Sequence, residues 1–139
     1  MNVHEYAKFF ENLDKEVTIK AYENVFESDV VFEDPFNRVV GVEKLYAIFQ
    51  SMYQDLLSPR FTVIEIIQND SVAYLRWKFD FTFSFNNVPQ SFVGVSRVEF
   101  SDFGKIKSHI DYWDAASNVY EKLPIAGSLI RFLKNKIAH

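Results

Sequence analysis

The apolar residues of this chain change period once, from three-to-four to two, and that single switch constrains its architecture more than any other feature. Before the switch, Val3, Tyr6, Ala7, Phe10 and Leu13 recur at helical steps. Asp14 can then cap a second helix with Val17, Ala21, Val25 and Phe26 on its apolar face. Residues 29–34 read as a short strand, and Gly41 precedes a third helix with Val42, Leu45, Phe49, Met52, Tyr53 and Leu56 inward. Ser58-Pro59 is expected to stop that helix. Beyond it the spacing predicts four strands, over 60–68, 72–85, 90–101 and 105–113. Asn69-Asp70-Ser71, Asn86-Asn87-Val88-Pro89 and Asp102-Phe103-Gly104 between them suit hairpin connections. Helices first and an antiparallel meander afterwards describe an α+β fold, and 139 residues suffice for one domain.

Polarity narrows the function. The net charge is −4 and the basic residues are scattered until the last helical stretch, so there is no electrostatic footprint for a nucleic-acid partner. Cysteine is absent, which removes thiolate chemistry and disulfides. His4, His109 and His139 stand at no metal-ligand spacing, so neither a metal nor another cofactor is expected. The N-terminus lacks the basic and apolar blocks of a signal peptide and no run reaches membrane-spanning length, which makes a cytoplasmic protein the expectation. The 15 Phe, 7 Tyr and 2 Trp supply large flat side chains, which leave gaps easily. A gap among them is a pocket for a small apolar molecule.

Two segments carry ionisable groups into that apolar background. Asp34 ends the run Val30-Val31-Phe32-Glu33-Asp34 and precedes Pro35, which pushes it into extended geometry. A carboxylate flanked by Phe32, Pro35 and Phe36 at a strand rim is partly desolvated and suited to act as a base. Asp before Pro is equally a turn opener. On the last strand, alternation puts His109, Asp111 and Trp113 on one face and Ile106, Ser108, Ile110 and Tyr112 on the other, and periodicity leaves open which is interior. The strand over 72–85 places Trp77, Phe79, Phe81, Phe83 and Phe85 on one face, with Arg76, Lys78, Asp80, Thr82 and Ser84 opposite.

The segments Val31-Phe32-Glu33-Asp34-Pro35-Phe36, Gly41-Val42-Glu43, Phe100-Ser101-Asp102-Phe103-Gly104-Lys105-Ile106 and Asp111-Tyr112-Trp113-Asp114, in that order, resemble the nuclear-transport-factor-2-like superfamily. Its members include ketosteroid isomerases, limonene-epoxide hydrolases and SnoaL-type polyketide cyclases. The likeness runs from Tyr6 to Ser117. It implies a cone-shaped fold, N-terminal helices packed on a curved, mostly antiparallel sheet, with residues 115–139 as a C-terminal helical extension of one SnoaL-like domain. A homodimer through the outer sheet face is implied by the same likeness.

Carried over residue by residue, the resemblance puts Asp34 at the isomerase general base. Counting without gaps, it puts Phe10 where a tyrosine oxyanion donor belongs and Ser96 where an aspartic acid donor belongs. Losing one such donor costs about a hundredfold in rate or more, so steroid isomerisation is not the expected activity. The isomerase register turns Ser96, His109, Asp111 and Trp113 toward the cavity with Phe79 and Phe81, and sends Lys78 and Asp80 outward, against an epoxide-hydrolase arrangement. The implied site is therefore Asp34, His109 and Asp111 as acid–base groups, walled by Phe10, Phe79, Phe81, Ser96 and Trp113. A histidine beside a carboxylate can shuttle a proton, or the two can satisfy each other inside the core.

Two functions remain side by side at this level: an acid–base enzyme of isomerase, cyclase or hydrolase type with Asp34 as base, and a ligand-binding or dimeric accessory domain without turnover. The tail adds Pro124 as a helix stop, then Leu129, Ile130, Leu133 and Ile137 as an apolar stripe opposite Arg131, Lys134 and Lys136. A membrane role for this helix is not expected; self-packing, a dimer contact or a lid over the pocket are the alternatives.

Overall fold

The computed structural model describes residues 1–119 and 126–138. The helix stop expected at Pro124 lies outside them. Helix α1 (Val3–Glu11) starts at Asn2, whose side-chain oxygen accepts from the Glu5 N–H at 2.9 Å while its amide donates to the Glu5 carboxylate at 3.0 Å. This reciprocal cap satisfies an otherwise orphaned helix donor. The helix buries Val3, Tyr6, Ala7 and Phe10, the stripe that its period predicts. Each large side chain so removed from water stabilises the fold by about 1.5–3 kcal/mol. Helices α2 (Ile19–Val25) and α3 (Val42–Asp55) follow, and α1 and α3 lie against the sheet.

The sheet is curved and mixed, with six strands: β1 (Phe26–Glu33), β2 (Arg38–Val40), β3 (Leu56–Asn69), β4 (Val72–Phe83), β5 (Pro89–Phe100) and β6 (Ile106–Tyr112). Their spatial order is β2-β1-β6-β5-β4-β3. The meander from β3 to β6 is antiparallel as its turns predict, and β1 then joins β6 in parallel. That parallel contact positions the site. Phe32 pairs with His109 and Glu33 with Ile110, so Asp34 and Asp111 stand next to one another just past the last registered pair. Neighbouring strands lie about 4.8 Å apart.

Several local readings are corrected. Asp14 accepts from the Glu16 N–H at 2.8 Å and builds a turn, so α2 starts at Ile19, and Phe26 opens β1 where a helical position was expected. Ser58-Pro59 does not end α3. Leu56 already belongs to β3, and the register skips between Leu57 and Arg60, with Ser58 at φ 50°. The pair makes an irregularity inside a strand, where a missing proline N–H is tolerated. β2, three residues long, was not anticipated. Phe85 lies past the end of β4 and is exposed. After β6 come a single turn of helix, α4 (Ala115–Asn118), and α5 (Ala126–Ile137), whose Leu129, Phe132, Leu133 and Ile137 are exposed. No helix among the described residues is long and apolar enough to cross a membrane.

Candidate functional site

Between the helices and the sheet lies a cavity of about 290 Å³. Phe32, Phe49, Phe61, Trp77, Phe79, Phe81, Phe83, Phe92 and Trp113 supply most of its wall. Phe61 stacks on Phe79 at 4.3 Å, Phe79 on Phe81 at 5.0 Å, and Trp113 on Phe92 at 4.6 Å, so the wall is a continuous aromatic surface. The packing has one notable backbone requirement. Gly94, paired with Trp77 across the β4–β5 ladder, has no Cβ, and an added one would stand 2.4 Å from the indole. The bare backbone lets Trp77 lie across β5.

Among the described lining residues, Asp34, Asn37 and Asp111 carry carboxylate or amide groups. Asp34 opens a turn and also lines the cavity. Its Oδ1 accepts from the backbone N–H groups of Phe36 at 2.8 Å and Asn37 at 2.7 Å, which makes it the opener of the turn between β1 and β2. Among the described residues, its Oδ2 has a long 3.4 Å contact from the Asn37 amide. Burial pushes the Asp34 carboxyl above its ordinary value of 3.8, with nearby Asp111 adding to the rise, against the lowering effect of the Phe36 and Asn37 N–H groups.

Asp111 is held from behind by a buried chain of hydrogen bonds. The Trp77 indole N–H, which can only donate, reaches Ser96 Oγ at 2.8 Å, so the serine must pass its own proton to Asp111 Oδ1. His109 Nε2 meets the same Asp111 oxygen at 2.7 Å, and His109 Nδ1 meets the Tyr6 hydroxyl at 2.7 Å. One assignment satisfies every member: a neutral imidazole with its proton on Nε2, accepting from Tyr6 on Nδ1. Burial first, and Asp111 second, push the Tyr6 phenol well above its ordinary value, in keeping with a hydroxyl that only donates. Phe10 stacks on the imidazole at 5.1 Å and fixes its plane.

Of the residues expected at the site, Asp34, Asp111, Phe79, Phe81 and Trp113 line the cavity. His109, Ser96 and Phe10 do not; they are buried in the layer behind Asp111. His109, Ser96 and Asp111 share the inward face, but on the curved sheet His109 and Ser96 sit deeper, His109 beneath Phe10 and Phe32 and Ser96 beneath Trp77. Tyr6, Trp77 and Asn37 were missed as polar partners. Tyr6 could be read only as one of α1's buried residues, because nothing local links positions 6 and 109. Lys78 and Asp80 lie outward, 3.7 Å apart on the exposed face. No described residue of α5 lines the cavity.

Comparison with known proteins now places this geometry. Residues 6–109 match the model of the SnoaL-like domain. Among curated proteins none matches the chain. A solved protein of ketosteroid isomerase-like fold from Catenulispora acidiphila, in complex with trimethylamine, is 13% identical with a TM-score of 0.71, covering 84% of this chain and 88% of that one. A candidate SnoaL-like polyketide cyclase from Jannaschia sp. CCS1 is 10% identical with a TM-score of 0.72, over 83% of this chain and 86% of that one. A candidate isomerase of the SnoaL-like family from Agrobacterium tumefaciens is 15% identical with a TM-score of 0.65, over 81% and 93%. Identities this low carry the fold and leave the reaction open. With three quarters of its length matched and the α+β cone of that fold, this chain belongs to the SnoaL-like domain family.

Proposed function

We propose that the protein is a cofactor-independent acid–base enzyme, acting on a small, largely apolar molecule by proton transfer to Asp34. The observation that carries this reading is the pair of neighbouring carboxylates at one side of an aromatic cavity, held in unlike environments. Unlike environments divide two acids into different roles. Asp34 presents its less-engaged oxygen to the cavity and takes a proton from carbon, then returns it to another carbon of the same substrate. Asp111 is the fixed group, oriented by His109 with Tyr6 and by Ser96 with Trp77. In this reading His109 acts as a positioning residue. The structure with trimethylamine from C. acidiphila supports a small organic ligand in this fold. A second copy docking on the outer sheet face, where Ile67, Tyr74 and Tyr112 are exposed, is the proposed oligomer.

One observation favours a non-catalytic ligand-binding domain as the second reading. The Tyr6 hydroxyl, which could have stabilised a developing oxyanion, is fully buried and spent on His109. The two readings separate in heavy water. Small cyclic ketones, with and without an amino group, would be incubated with the protein in D2O and followed by NMR for deuterium entering the carbon beside the carbonyl. The enzyme reading predicts exchange that Asp34→Asn abolishes while binding persists. Binding without exchange across the set would establish the alternative.

A further inference from the structure

The chemistry of the cavity wall selects a class of ligand. Its polar lining offers carboxylate oxygens at Asp34 and Asp111, and the one amide among the described lining residues, Asn37, is already turned to Asp34. No Lys, Arg or His is among the described residues that line it. Everything else is ring or aliphatic surface. An anionic ligand would meet two acids in a low-dielectric space, and a neutral carbonyl would find acceptors where it needs donors. A positive nitrogen meets favourable partners on every side: charge from the carboxylates, and the negative faces of Trp113, Trp77 and the stacked phenylalanines.

We infer that the cavity binds an organic cation, a protonated or quaternary amine carried on an apolar body, with its nitrogen against Asp34 and Asp111 and its substituents against the aromatic wall. The inference rests on the small-molecule reading above and names its substrate class. Three separate observations converge on it. Asp111 has one oxygen engaged by Ser96 and His109, and its side chain is only 10% exposed. Asp34 stands beside it on the adjacent parallel strand, one position past the pair Glu33–Ile110, so two acids are held next to each other at one side of the cavity. The ring wall reaches the acids directly, because Trp113 sits two residues beyond Asp111 and also packs edge-on to Phe36, two residues beyond Asp34.

The same class resolves a difficulty of the proton-transfer reading. No hydroxyl or cation of the described lining is placed to stabilise a developing oxyanion. A substrate carrying its own ammonium group supplies that positive charge itself.

The test uses two probes of nearly equal shape, phenyltrimethylammonium and neutral tert-butylbenzene, titrated against the full chain by tryptophan fluorescence, since Trp77 and Trp113 both line the cavity. The inference predicts that the cation binds about tenfold more tightly or better. Asp111→Asn and Asp34→Asn should each lose most of that preference while still binding tert-butylbenzene. Asp34→Asn keeps an Oδ1 acceptor for the turn, so it remains informative if Asp111→Asn fails to fold. Equal or tighter binding of tert-butylbenzene would overturn the cation inference and leave the small-molecule reading standing. Binding of neither probe would overturn both. A preference that survives in every folded Asn variant would overturn the role given to the carboxylates.

Discussion

Gly94→Ala is the substitution whose cost can be worked most directly from the structure. A methyl group at Gly94 would stand 2.4, 2.6 and 2.9 Å from three carbons of the Trp77 indole. Ordinary contact begins near 3.4 Å, so the ring or the strand must give by about 1 Å. The indole has little freedom to do so. It is 3% exposed, packs edge-on to Phe61 at 5.2 Å, and is tied through its N–H to Ser96 at 2.8 Å. Overpacking of this kind costs about 1–3 kcal/mol. Pulling the indole off Ser96 leaves a buried donor unpaired, for about 1–3 kcal/mol more. Against these, alanine restricts the unfolded chain and returns about 0.4–1 kcal/mol. The net is about 1–5.6 kcal/mol of destabilisation. With an unfolding entropy of about 2.1 cal/mol/K per residue, that lowers Tm by about 3–19 °C for this length. Thermal unfolding by circular dichroism reads the loss, and the indole N–H resonance of Trp77 reads the broken bond. A Tm within about 2 °C of the parent, with that resonance unmoved, would refute the placement of Trp77 across β5.

Other substitutions probe the acids and their support. Tyr6→Phe deletes the hydroxyl that donates to His109 Nδ1 and leaves a buried acceptor unsatisfied, so stability should fall by about 1–3 kcal/mol, or about 3–10 °C in Tm. Ligand affinity should change less than in Asp111→Asn, because Tyr6 does not reach the cavity; an unchanged Tm would remove Tyr6 from the chain of hydrogen bonds. Asp34→Asn has a sign fixed by linkage. Because the folded-state value of Asp34 is raised, its stabilising effect is present below the unfolded value near 3.8 and is lost as pH rises through the folded value. At pH 7 the Asn variant should therefore melt at the same temperature as the parent or above it, and its advantage should shrink as the pH is lowered toward 4. A lower Tm at pH 7 would mean that the ionised carboxylate stabilises the turn more than burial penalises it.

What could be read from the chain follows from how local each feature is. The period switch, the α1 stripe and the β3–β6 meander are written in neighbouring residues, and the structure has them. Asp34 was legible as two competing things because a strand-end aspartate has two oxygens; in the structure one oxygen builds the turn and the residue also lines the cavity. The parallel pairing of β1 with β6 was not legible, since it joins segments some 80 positions apart and leaves no trace in either period. Tyr6 and His109 are separated by 103 positions, and only the fold shows that the helix brings a hydroxyl to the imidazole. Ser58-Pro59 misled because proline ends helices far more often than it sits within a strand. The position of His109 misled for another reason: sharing a face with Asp111 does not mean sharing its depth, and Phe10 and Phe32 cover the imidazole.

Asp34 and Asp111 both line one cavity, and the charge on Asp111 raises the proton affinity of Asp34. Carboxyl carbon NMR of the protein labelled at aspartate tests it most directly, following Asp34 through a pH titration in the parent and in Asp111→Asn. Asp34 should titrate above 3.8 in the parent and move downward when the Asp111 charge is removed. An Asp34 that titrates at or below 3.8, unmoved by Asp111→Asn, would contradict it.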